Sequence, residues 1–248
     1  MELTVKDIKK SYGEHEVLRN VSFTVSAGSV SVLMGTNGSG KTTLFNIISG
    51  FIQQDAGDIL LDEKVINKLK PYQRKRRGIG RTFQDMRLIG DLSVKENVML
   101  AFPEQEGEKW WKAFLPNKKV KKEQKNNSIR TDQLLMDCFI DEIAENNANE
   151  ISYGQQKLLN LACCMANGAS VLLLDEPAAG VNPVFREKLA TVVKGLKEQG
   201  KVLLVIEHNS DFIEAVADEI LFLHNGLVQR YSSYIEFRES PEVLNAYV

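Results

Sequence analysis

The chain has 248 residues, a formal net charge of −2 and 43% hydrophobic residues. That composition supports a sizeable core in one domain or two, and the near-neutral charge excludes a protein built mainly to coat nucleic acid, which would carry a basic stripe. Three cysteines, Cys138, Cys163 and Cys164, suit neither a disulfide framework nor a C-x-x-C metal site, and fit reduced thiols in a cytosolic protein.

The charged N-terminus is no signal peptide, and no run approaches the roughly eighteen apolar residues of a membrane span. Any work at a membrane would go through a partner. "LTVKDIKKSY" and "VSFTVS" alternate apolar and polar residues as half-buried strands do, whereas "VSVLM" is nearly all apolar, as a strand buried on both faces would be. "GTNGSGKT" follows, and then "KTTLFNIISG" with apolar residues at helical spacing and a glycine stop at Gly50.

Gly35, Thr36, Asn37, Gly38, Ser39, Gly40, Lys41 and Thr42 fit the pattern G-x-x-x-x-G-K-[ST], after a buried strand and opening a helix, with Thr43 next. The glycines let the backbone wrap around phosphates, and the helix N-terminus offers N–H groups to an anion. Lys41 would place its charge on the β- and γ-phosphates of a nucleotide, and the Thr42 hydroxyl suits Mg²⁺.

"GDILLD" reads as a strand, and a polar connection follows near Pro71. From about Met86 to Asn149, "SVKENVMLAF" and "SIRTDQLLMDCF" are helical patterns. A charged stretch running from Pro103 to Asn127, including Trp110 and Trp111, separates them and reads as a mobile connector. The basic runs "RKRR" (Arg74 to Arg77) and "KKVKK" (Lys118 to Lys122) read as solvated faces.

The last third, "VLLLDEP", "PVFREKLATVVKGLKEQG", "KVLLVIEH", "SDFIEAVA" and "DEILFLHNG", is βαβ grammar and implies a parallel sheet with helices on both faces. Ligands gather at the carboxyl ends of such strands. Asp175 can there complete a Mg²⁺ shell, directly or through water, and Glu176 can orient or deprotonate a water. An Asp-Glu pair alone would more often be an exposed turn; the phosphate loop upstream changes that reading.

"ISYGQQ" (Ile151 to Gln156) resembles the signature sequence of ABC-type ATPases, and the whole chain is similar to an ABC nucleotide-binding subunit. The resemblance extends to "RTFQ" ending at Gln84 (the Q-loop), "IEH" ending at His208 (the switch histidine), "PAAGVNP" (the D-loop) and Tyr12, which matches the adenine-stacking aromatic. It implies an α/β P-loop NTPase fold: a RecA-like mixed sheet core with an N-terminal antiparallel β subdomain. The expected domain spans 1–248, with a helical signature subdomain inserted at 86–165.

The implied cofactors are ATP and Mg²⁺, the metal held by Thr42, Gln84 and Asp175. Glu176, His208 and Gln84 would be the catalytic set. Ser152, Gly154 and Gln155, at a helix N-terminus, would close on ATP held by a second, identical or homologous subunit in a head-to-tail dimer. The implied partners are transmembrane permease subunits that bring the protein to the inner face of the cell membrane, with no direct nucleic acid.

"GFIQQDAGDILLD", "RTFQDMRLIGDLSVKENV", "SYGQQ" and "EPAAGVNP" resemble the ATPases of branched-chain (hydrophobic) amino acid importers. Urea and lipopolysaccharide systems use very similar ATPases. A soluble ABC ATPase acting on nucleic acid or ribosomes is the other alternative, although such proteins carry a coiled-coil insertion or two fused ATPase units, and neither is legible here.

Overall fold

A computed structural model of the chain describes residues 1–82, 86, 88–103 and 118–246. Gln84, Trp110 and Trp111 lie outside the described residues. The chain forms two compact units: Met1–Gln84, Ser170–Ala179 and Val193–Val248 in the first, Asp85–Ala169 and Gly180–Val192 in the second.

Two sheets build the first unit. β1 (Glu2–Tyr12) pairs antiparallel with β2 (His15–Ser26) and with β4 (Ala56–Leu61), and β5 (Lys64–Val65) extends β4, giving the order β2-β1-β4-β5. The two-residue period works as the sequence implies. Leu3 and Val5 lie opposite Val25 and Phe23 on one side and Leu61 and Ile59 on the other, and all six are buried.

The second sheet runs β10 (Leu227–Tyr231), β9 (Glu219–His224), β3 (Ser29–Met34), β8 (Val202–Ile206), β7 (Val171–Asp175) and β6 (Ile79–Arg81). All neighbours are parallel except the edge strand β10. Every residue of β7 and β8 is buried, which is why these strands are apolar runs, broken only by Asp175 at the end of β7. In register, Leu33 of β3 and Asp175 of β7 both face Ile206 of β8, so the carboxyl ends of the three strands lie side by side.

Helix α1 (Lys41–Ser49) buries Leu44, Phe45, Ile47 and Ile48, spaced three and four apart, in a cluster that joins both sheets through Leu3, Leu18, Leu33 and Leu204. Arg74, in the short helix α2 (Pro71–Arg76), corrects the sequence reading of "RKRR". It is only 1% exposed. Its guanidinium donates to Ile47 O (2.6 Å), Ile48 O (2.8 Å), Leu69 O (3.0 Å) and Asn67 O (3.1 Å). Two of these carbonyls belong to the last turn of α1, where Ile47 O also accepts from Gly50 N (3.1 Å) and the helix dipole favours a cation. Burial pulls the Arg74 pKa down to about 10, which leaves it charged at neutral pH.

The second unit is helical. α3 (Val94–Ala101) opens with a capping box: Glu96 N donates to Ser93 Oγ (3.1 Å) and Ser93 N to Glu96 Oε2 (2.8 Å). Hydrogen bonding to the Ser93 main chain, and then to its side chain, holds the Glu96 carboxyl below its usual range. α4 (Lys118–Asp137) begins ten residues before the end of the stretch read from sequence as a connector, and takes in "KKVKK". The buried stripe of α4 includes Asn127, Thr131 and Leu135 at a four-residue spacing, so two of its inward positions are polar and hide the apolar period. α5 (Tyr153–Ala166) carries the remaining buried apolar face, with Leu158, Leu159, Leu161 and Ala162.

α6 (Pro183–Glu198), α7 (Ser210–Val216), α8 (Tyr234–Glu239) and α9 (Pro241–Ala246) complete the helices used below. Among the described residues, no helix is long and apolar enough to cross a membrane.

Candidate functional site

The segment from Gly35 to Gly40 leaves β3 and feeds α1. Two of its glycines are dictated by space. A Cβ on Gly35 would lie 2.3 Å from Leu223 O, and one on Gly40, whose φ is 105°, would lie 2.8 Å from Val17 Cγ1. Gly40 caps α1 without a side-chain acceptor, so the first-turn N–H groups are satisfied by no cap. The buried Ser39 Oγ has no hydrogen-bond partner in the fold. A ring of donors with an orphaned hydroxyl is chemistry that fits a polyphosphate.

Lys41 is 8% exposed, and its ammonium donates to Gly35 O (2.7 Å) and Thr36 O (3.0 Å). Burial lowers its pKa, against the raising influence of Glu176 and then Asp175. Both carboxylates follow from β7, whose last residue is Asp175.

Asp175, 7% exposed, is held twice, by the last residue of β6 and by the residue after it. Its N–H donates to Thr82 Oγ1 (3.0 Å), and its Oδ2 accepts from Arg81 Nη2 (3.0 Å). Arg81 Nη1 also donates to Asn46 Oδ1 (2.7 Å) and Ser49 Oγ (3.1 Å) of α1, and the guanidinium lies 5.5 Å from the Phe45 ring centroid. The aspartate is thus keyed to the helix that follows the glycine loop. Glu176 sits at φ 48°, a left-handed conformation unusual for a non-glycine residue, with its N–H on Ile206 O (2.9 Å).

A cleft of about 340 Å³ is lined by Asn37, Gly38, Gly40, Lys41, Thr42, Thr43, Asp175, Glu176 and His208, together with His15, Val17 and Ile206. The geometry therefore brings together most of the phosphate-loop residues and the Asp-Glu-His set expected from the sequence. Gly35, Thr36 and Ser39 belong to the same loop. Tyr12, 49% exposed at the end of β1, does not line this cleft; His15 and Val17 of β2 do. Sequence reasoning did not single out His15, Val17, Arg81, Thr82 or Glu207. An arginine inside the short run "GIGRT" was the one available signal.

Ser152, Gly154 and Gln155 belong to the second unit. Ser152 is the N-cap of α5, and Gln155 Oε1 accepts from Ser152 N (2.8 Å) and Ser152 Oγ (2.8 Å). Gly154 has a packing reason of its own, since a Cβ there would lie 2.7 Å from the Phe185 ring.

The sequence matches the ABC transporter family over residues 18–179. The chain belongs to this family and is its ATP-hydrolysing component. It is 32% identical over 246 residues to the probable branched-chain amino acid transport ATP-binding protein LivG of Archaeoglobus fulgidus, covering 99% of this chain and 95% of that one. It is 28% identical, over 99% of this chain and 96% of the other, to the lipopolysaccharide export system ATP-binding protein LptB of Escherichia coli K12.

Among solved structures it resembles a nucleotide-free ATP-binding cassette from an ABC transporter, with TM-score 0.85 and 29% identity over 100% of this chain and 99% of that one. It also resembles the dimeric post-hydrolysis state of the cassette MJ0796 bound to ADP and Pi, with TM-score 0.75 and 26% identity over 93% of this chain and 98% of the other.

Proposed function

We propose that this chain powers a membrane importer of branched-chain or other hydrophobic amino acids, hydrolysing ATP in a head-to-tail dimer with an identical or homologous subunit. One observation carries the catalytic part: Lys41, the adjacent pair Asp175 and Glu176, and His208, from three separate stretches of sequence, line one cleft at the carboxyl edge of adjoining parallel strands. The likeness to LivG supports the class of solute, and the likeness to a dimeric cassette supports the pairing. On this reading 1–248 is one nucleotide-binding domain with a helical lobe inserted at 86–165.

In the cleft, the amides of residues 35–43 and the Lys41 ammonium bind the β- and γ-phosphates. Thr42 and Asp175 offer the hard oxygens that Mg²⁺ prefers, with Gln84 as a further ligand. When bound, the metal would neutralise charge developing on the transferred phosphoryl group. Among the described residues, no cluster of His, Cys, Asp or Glu could hold a metal by itself. The nucleotide and water would thus supply most of the coordination shell.

Glu176 takes the proton of the attacking water or orients it, and His208, at the end of the neighbouring strand, faces the same phosphate. Tyr12 stacks on the adenine from the rim. Ser152, Gly154 and Gln155 of the second subunit cover the phosphates, with the α5 dipole directed at them. The motion passes through the Q-loop to permease subunits at the cytoplasmic face of the membrane.

The deciding experiment is reconstitution with candidate permease subunits and a binding protein in proteoliposomes. ATP hydrolysis should rise when leucine, isoleucine or valine is supplied. Stimulation by lipopolysaccharide alone would transfer the protein to the export class, and indifference to every membrane partner would reject the transport reading.

A further inference from the structure

Glu207 separates β8 from His208 and is only 2% exposed. The hydrogen bonds to its carboxylate come from main-chain N–H groups on two different segments. Oε1 accepts from Ala178 N (2.7 Å), two residues beyond Glu176. Oε2 accepts from His208 N (2.7 Å) and Asn209 N (3.0 Å).

The segment leaving β7 is therefore tied to the segment leaving β8 at two points on either side of Pro177. One tie is Glu176 N to Ile206 O at 2.9 Å; the other is Ala178 N to Glu207 Oε1. Glu176 stands beside the first tie in its left-handed conformation. Such a conformation costs on the order of 1–3 kcal/mol and persists where the surroundings over-determine it.

We propose that Glu207 is a positioning residue for ATP hydrolysis: its carboxylate fixes the spacing of the Glu176 and His208 segments from inside the protein, before any nucleotide binds. The proposal rests on the roles given above to Glu176 and His208. A carboxylate is the side chain this place requires. It has two oxygens that only accept, and the groups facing them are all donors. A glutamine of nearly the same volume has one accepting oxygen, and its NH₂ would confront N–H groups, so it can serve one segment or the other but not both. An aspartate keeps the charge but is one methylene shorter and cannot reach both.

The test uses the full chain, with phosphate release in single turnover and ATP affinity by equilibrium binding. Glu207→Gln should lower the hydrolysis rate about 10- to 100-fold, because a misplacement near 1 Å can cost that much. ATP affinity should change by less than about threefold, since the phosphate loop is untouched. Introduced into Glu176→Gln, the same substitution should cause clearly less than its full single-variant loss, because one of the two groups it positions has already gone and only His208 remains to be misplaced.

A rate within about twofold of the unsubstituted protein, a full multiplicative loss in the double variant, or affinity falling in step with rate would each overturn the proposal. If Glu207→Gln does not fold, Glu207→Asp is measured against the same expectations, and failure of both to fold makes the carboxylate a stability element and overturns it too. Undiminished hydrolysis by Glu176→Gln alone would instead reject the underlying assignment of Glu176.

Discussion

Lys41 combines a charge, burial and two backbone carbonyls in one place. Removing its ammonium would leave the polyphosphate without its cation and take a donor from the carbonyls of Gly35 and Thr36, of which Thr36 O keeps Ser39 N (3.2 Å). Lys41→Ala should weaken ATP binding at least tenfold by calorimetry, in line with the loss of a charge-assisted contact worth about 1.5–3 kcal/mol. Affinity equal to that of the unsubstituted protein would refute the role. The residues of the phosphate loop were legible because their chemistry is local: a glycine pattern, a lysine and a threonine within ten positions. Glu207 was not. Its partners are the main-chain N–H groups of Ala178, His208 and Asn209, and an acceptor for main-chain N–H groups leaves no sequence pattern.

Helix α1 is fixed at both ends by unlike means, glycine geometry at its start and the Arg74 guanidinium at its finish. Arg74→Met keeps much of the stem but leaves buried carbonyls unpaired. The expected loss is about 2–4 kcal/mol of stability, and the midpoint of urea unfolding measures it. Arg74→Lys should recover only part, because an ammonium cannot reproduce a fork that reaches four carbonyls. A midpoint unchanged by Arg74→Met would remove the capping argument.

Helix α2 was invisible in the sequence because its buried side chain is a charged one within a basic run, and hydrophobic periodicity has nothing to register. The first half of α4 was hidden by its charged, lysine-rich sequence, in which the buried Asn127 is polar as well. β6, three residues long, was too short to show alternation, and β10, α8 and α9 were not assigned. By contrast β3, β7 and β8 stood out, because strands covered on both faces must be apolar throughout.

Every catalytic candidate among the described residues lies in the first unit, while the signature residues Ser152, Gly154 and Gln155 lie in the second. A head-to-tail pair would bring the second unit of one copy over the phosphate loop of another. Glu176→Gln should preserve binding while slowing water activation about 10²- to 10⁴-fold, the usual contribution of a general base. Size-exclusion chromatography with ATP should then give a dimer that the unsubstituted protein does not accumulate. A monomer throughout, with hydrolysis intact, would remove both the role of Glu176 and the sandwich. The parallel sheet followed from the alternation of strand and helix, whereas the mixed-sheet core with its antiparallel β subdomain was implied by the resemblance to ABC ATPases.

The ammonium of Lys41 rests on the very loop that is to receive phosphate. Those two carbonyls act as an internal competitor. They hold the ammonium while no anion is there, and a guest drawing on that cation would have to compete with them. A triphosphate, richest in negative charge, wins most readily. If the loop binds phosphate as proposed, an uncharged nucleoside would have nothing to offer that cation in exchange, and the fold-back would favour guests with several negative charges.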